Sequence, residues 1–140
     1  MRSLKAHLCE AERQAVKAQI AAILEKNEEV VFGVTFGSFQ EGLAFEDIDV
    51  AVYLAGAFEE LERFEKETKL ALELEKSLRL PVDVRILNGA SLGFQYAVSS
   101  GELVFSRHPT AFPDFREIVW QRYLDHKYFY EQSLRDLLKS

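Results

Sequence analysis

Five residues carry types and spacings that could do chemistry together: Gly37, Ser38, Asp47, Asp49 and Asp83. Gly37 and Ser38 end an apolar run, VVFGVTF, where glycine permits a sharp turn and successive backbone N–H groups can face an anion. Asp47-Ile48-Asp49 opens a second apolar run. In an extended strand, side chains two apart share a face with Cα atoms about 6.5–7 Å apart, so these carboxylates can converge on one or two divalent cations. Asp83 stands between Val82 and Val84 in a third run and offers another acid flanked by core residues. Such a set could handle phosphate and metal together. Taken singly, each signal has a plainer reading: an ordinary turn, a solvated strand edge, or a surface acid paired with Arg85 or a helix lysine.

Stepping outward, the chain supplies elements to position these groups. A helix is predicted over 9–26, with Val16, Ile20, Ile23 and Leu24 on one face. A strand covered on both faces follows over 30–36, then the Gly-Ser turn, then a strand over 47–54. That strand sends Ile48, Val50, Val52 and Leu54 to one side and Asp47, Asp49, Ala51 and Tyr53 to the other. A helix over 55–78 is expected to bury Leu61, Phe64, Thr68, Ala71, Leu72 and Leu78, with Lys66, Glu67 and its other charges solvated. Pro81 stops it, a strand follows over 82–87, and a short helix over 91–98 leads to a brief strand over 102–105.

The final helix is expected over 115–138, opened by Asp114 and Glu117 in a capping box. Its apolar and aromatic residues wrap more than one face, so it should bury two sides, one on the domain and one on a partner. Trp120, Tyr123, Tyr128, Phe129 and Tyr130 are the types expected at an interface centre. Self-association is the alternative occupant of that face, and simple capping of the sheet is the plainer reading.

Bulk properties bound the function. The 140 residues suit one domain, 1–140, with a real core. A net charge of -6 argues against broad nucleic-acid binding, which depends on many Lys and Arg contacts to phosphate. No run approaches the length of a membrane helix, and the N-terminal stretch lacks an apolar leader core, so the expected location is cytoplasmic. Cys9 is the lone cysteine, and His7, His108 and His126 have no metal-ligand spacing.

Gly37-Ser38, Asp47-x-Asp49 and the later Asp83, in this order and on these elements, resemble the signature of the nucleotidyltransferase superfamily related to DNA polymerase β. A chain this short, with a helix before the first strand and a tyrosine-rich helix at the end, resembles the minimal nucleotidyltransferases and is similar to the MntA-type antitoxins encoded with HEPN toxins. The resemblance implies an α/β (α+β) polymerase-β-like fold, a small mixed sheet flanked by helices with a long C-terminal helix. It implies two Mg²⁺ held by Asp47, Asp49 and Asp83, which are also the catalytic acids, with ATP bound at Gly37 and Ser38. It further implies transfer of AMP (or another NMP) to a tyrosine of a HEPN ribonuclease. An antitoxin that acts by binding alone is the competing class, and transfer to a small molecule a third. The loop over 39–46, FQEGLAFE, is shorter than the common form, and Glu41 stands where a basic residue is frequent.

Overall fold

The computed structural model describes residues 5–139; the rest, including part of the N-terminal stretch read for a leader, lie outside the described residues. Among the described residues five helices and four strands alternate: α1 (Glu10–Lys26), β1 (Val30–Phe36), α2 (Gly37–Gln40), β2 (Ile48–Leu54), α3 (Glu60–Leu78), β3 (Val82–Ile86), α4 (Leu92–Ser99), β4 (Glu102–Ser106) and α5 (Ala111–Lys139). The sheet order is β3-β2-β1-β4. β1 pairs antiparallel with β2 and β4, whereas β2 and β3 are parallel. A parallel pair needs a crossover, and α3 supplies it. The expected small mixed sheet flanked by helices and the long terminal helix are therefore present.

Helices cover both faces of the sheet, which is why β1 and β2 read as nearly continuous apolar runs. On one face Val16, Ile20, Ile23 and Leu24 of α1 and Leu70 and Leu74 of α3 pack against Ile48, Val50, Val52, Leu54, Val82, Val84 and Ile86. On the other, Phe32, Val34, Ala51 and Leu87 pack with Val98 of α4 and Phe112 of α5. Close approach of α1 requires a glycine in β1: a Cβ on Gly33 would lie 2.3 Å from Leu24 Cδ1. Arg107 fastens the far end of α1, its guanidinium donating to the carbonyls of Val30 (2.9 Å), Glu25 (3.1 Å) and Asn27 (3.1 Å).

Three expectations are corrected. α3 begins at Glu60 rather than 55 and buries Leu70 and Leu74, leaving Leu61, Phe64 and Leu72 exposed. Its inward face is partly charged: Glu67 accepts from the Ile86 N–H at 2.8 Å, Glu75 from the Val82 N–H at 3.3 Å, and Lys66 pairs with Glu29 at 2.9 Å. β3 is an edge strand, and carboxylates that satisfy its outward N–H groups take positions a purely apolar count assigns to leucine. α5 starts at Ala111, so Asp114 and Glu117 lie inside it and cap nothing; Pro113 is tolerated there because first-turn N–H groups have no intrahelical acceptor. Against the domain itself, α5 buries Phe112 and Val119.

Gly33→Ala should therefore lower stability by about 1–3 kcal/mol through overpacking against Leu24. Urea unfolding measures this, and the cost should shrink in a Leu24→Ala background; equal costs in both backgrounds would contradict the seating of α1 on Gly33.

Candidate active site

β2 and β3 bring the predicted acids together. Asp49 and Asp83 are direct partners in the parallel register, so their side chains leave the same face of neighbouring strands, about 4.8 Å apart in the sheet. Asp47 lies just before β2 rather than within it, on the exposed approach to the strand, and shares a hydrogen bond with Asp49. The Asp83 carboxylate also meets the Arg85 guanidinium at 3.4 Å, the pairing that the plainer reading of Asp83 anticipated.

Gly37 closes the site from the β1 side. Its φ is +78°, and a Cβ there would stand 2.4 Å from Asp49 Oδ2. Glycine is thus required twice, for the left-handed backbone and for the close approach of the carboxylate. Ser38 follows, exposed, in the short helix α2. The turn is tightened by backbone bonds from Glu41 N–H to Gly37 O (3.0 Å) and from Leu43 N–H to Ser38 O (3.0 Å).

Burial above all, then the charges of Asp47 and Asp83 and the bond shared with Asp47, push the Asp49 pKa up to about 6; Arg85 opposes the rise. Two carboxylates in hydrogen-bond contact, with a third in register, form a donor set that a divalent cation would relieve of repulsion. In that chemical sense the residues fit metal. Among the described residues, no three such side chains are already converged into a metal cage.

Two open clefts run along the outer edge of β3. One, of about 470 Å³, is lined by Phe64, Leu72, Glu75, Asp83 and Arg85. The other, of about 480 Å³, is lined by Arg63, Phe64, Arg85, Ser91 and Phe94. Asp83 therefore borders a space large enough for an incoming side chain.

Sequence reasoning missed Arg13, which lies beneath the turn and is only 4% exposed. The signal was present: Arg13 continues the Val16, Ile20, Ile23 periodicity of α1 by one step toward its N-terminus. Phe39 and Phe45 were likewise read as loop, yet both are buried and meet edge to face at 5.1 Å.

The arrangement, a Gly-Ser turn abutting paired aspartates with a third acid on the parallel neighbour, is that of a nucleotidyltransferase fold. Residues 18–110 match the family described as Polymerase beta, Nucleotidyltransferase, and the chain belongs to it. No curated protein matches the sequence. Among solved structures, the fold is similar to one of a tri-AMPylated Shewanella oneidensis HEPN toxin in complex with MNT antitoxin, at 24% identity and a TM-score of 0.66, covering 91% of this chain and 99% of that one. It is also similar to a toxin–antitoxin structure with AMP-PNP, at 24% identity and a TM-score of 0.68, covering 89% and 98%. A third similar structure is the MntA-HepT toxin–antitoxin, at 23% identity and a TM-score of 0.65, covering 91% and 99%.

A pH effect follows from Asp49. Its folded pKa is raised, so the unfolded chain ionises first; the stability that the neutral form contributes is complete below about pH 4 and is lost as pH rises through about 6. With divalent cations chelated, Asp49→Asn should be more stable than the native protein at pH 7.5, with the difference fading toward pH 4. Urea midpoints across that range test it, and a difference independent of pH would contradict the crowding of Asp49.

Proposed function

We propose that this protein is a minimal nucleotidyltransferase, one domain spanning 1–140, that acts in the cytoplasm as an antitoxin by transferring AMP from ATP to a tyrosine hydroxyl of a partner HEPN toxin. The single observation that carries the chemistry is the in-register pairing of Asp49 with Asp83, beside Asp47 and the Gly37 turn. The partner reading is supported by the similar structures, which include a tri-AMPylated HEPN toxin with its MNT antitoxin and a toxin–antitoxin structure with AMP-PNP.

In this reading Asp47, Asp49 and Asp83 would hold two Mg²⁺ ions, which would supply charge neutralisation for the triphosphate during transfer. Gly37 and Ser38 receive the β- and γ-phosphates, the turn's backbone N–H groups and the Ser38 hydroxyl donating to them. The tyrosine enters along the cleft that Asp83 borders. Asp83 takes its proton, the phenolic oxygen bonds to the α-phosphorus, the bond from that phosphorus to the bridging oxygen breaks, and pyrophosphate leaves. Arg85, 3.4 Å from the Asp83 carboxylate, steers it along the strand edge toward the cleft.

The partner would be held by the far half of α5. The helix has 29 residues, about 43 Å at 1.5 Å per residue, and outruns the domain. Trp120 and Tyr123 are engaged within the chain: the indole N–H donates to Ser99 Oγ at 2.8 Å and Tyr123 stacks on Tyr96 at 3.8 Å. Tyr128, Phe129 and Tyr130, 65%, 72% and 60% exposed, are therefore the aromatic part of the expected interface. This exposed segment also favours a second reading, an antitoxin that neutralises its toxin by binding alone.

Incubation with labelled ATP, Mg²⁺ and a HEPN toxin that binds this chain should label the HEPN protein, and Asp83→Asn should abolish the label while leaving binding intact. Binding without label would leave only the second reading. Phe129→Asp should weaken the complex by about 2 kcal/mol or more, roughly thirtyfold, with the unfolding midpoint of the free protein nearly unchanged. Titration calorimetry and urea unfolding report the two quantities, and an unaltered Kd would remove α5 from the interface.

A further inference from the structure

α1 precedes most of the family match, which begins at residue 18, yet two of its side chains reach under the Gly37–Ser38 turn. Arg13 lies beneath the 39–46 loop and satisfies carbonyls at its start and its middle. Its guanidinium donates to Phe39 O and, at 3.1 Å, to Leu43 O, while Nε donates to Leu8 O at 3.0 Å. The same cation lies 5.3 Å from the centre of the Phe39 ring and 5.7 Å from that of Phe45. The Phe45 backbone is in turn bridged to Ala6, with N–H to O distances of 2.7 and 3.0 Å.

Lys17, one turn further along α1, ties down the other side. Its ammonium pairs with Glu102 of β4, and that bond, together with one from Gln40, holds the Glu102 carboxyl below its ordinary pKa. Gln40 closes α2 and accepts from the Thr35 hydroxyl of β1 through its amide oxygen. Arg13 thus holds the loop directly at Phe39 and Leu43, and Lys17 reaches Gln40 at the end of α2 through Glu102. Arg13 is 4% exposed and Lys17's side chain 13%, and charges so placed are retained only when their hydrogen bonds are made.

We infer that Arg13 is a positioning residue for the nucleotide's outer phosphates: with Lys17 it makes α1 the support that fixes the shortened 39–46 loop, and hence the Gly37–Ser38 turn, against Asp49. The inference rests on the reading of that turn as the phosphate site. It accounts for how a loop with Glu41 at a customarily basic place serves a triphosphate. Placement of the turn's backbone donors comes from beneath, and Glu41 is exposed, at the end of α2. A rigid cradle gains affinity because less ordering remains to be done on binding.

The test compares Arg13→Lys with Arg107→Lys, which weakens an equivalent carbonyl clamp at the opposite end of α1. Binding of ATP and of AMP, each with Mg²⁺, is measured by calorimetry, and exchange of the Glu41, Gly42 and Leu43 amides by NMR. Arg13→Lys should lose about tenfold in ATP affinity with AMP affinity nearly unchanged, since AMP lacks the phosphates the turn receives. The three loop amides should exchange faster. Arg107→Lys should lower the unfolding midpoint and leave the ATP-to-AMP preference intact. If Arg13→Lys does not fold, Lys17→Met carries the same comparison and the same expectation. A native protein that prefers ATP, with a preference that survives these variants, overturns the inference alone. A native protein without any preference for ATP overturns the reading of the turn, and the inference with it.

Discussion

Repulsion among three carboxylates is the constraint on which the rest of this structure depends. Asp49 cannot separate from Asp83 without breaking the parallel register of β2 and β3, and it cannot swing away from Gly37 because the turn lies directly against it. Held there, Asp49 has its pKa pushed up to about 6, by burial first and then by the charges of Asp47 and Asp83. Perturbation of this kind, produced by burial and like charge in a small cleft, is what sites that handle cations and phosphates show. The apolar cost of keeping such a cluster in place is met by the two layers of side chains that sandwich β1 and β2.

The supporting elements divide that work by face. α1 and α3 cover the face opposite the acids, and α3 adds glutamates that complete the backbone bonding of β3, the strand bearing Asp83. α4 and the first half of α5 cover the acid-bearing face at the far end of the sheet, where Phe32, Tyr53 and Phe115 form an aromatic cluster. That leaves the near end, with Gly37, Asp47, Asp49 and Asp83, open to solvent. The sheet is thus packed where it must be rigid and uncovered where a substrate must arrive.

Beyond Tyr123 the terminal helix follows a different logic. An isolated helix is only marginally stable, and this segment carries several large apolar residues, Tyr128, Phe129 and Tyr130 among them, exposed to solvent. In the similar structures, toxin and antitoxin occur together, and the family match ends at residue 110, before α5 begins. The first half of α5 is nonetheless part of the packed domain, through Phe112, Val119, Trp120 and Tyr123.

Much of the site was legible in the sequence because its parts obey short-range rules. The alternation of β2 set Asp49 opposite its core residues, with Asp47 just ahead of the strand; a Gly-Ser pair after an apolar run marked the turn, and an acid between valines marked Asp83. Element types and order were legible for the same reason, since periodicities of 2 and 3.6 are local. The inner face of α3 was not, because side chains that serve the edge of β3 are charged and read as solvated. Nor was the support of the turn by Arg13, since its acceptors are carbonyls 26 and 30 positions away. By itself the sequence determined which residues are candidates for phosphate and metal, and it put Asp49 and Asp83 on the strands that carry them. Only the tertiary structure decided that Asp83 meets Asp49 in register, that α1 props the turn from below, and that half of α5 stays uncovered, because each depends on contacts between segments far apart in the chain.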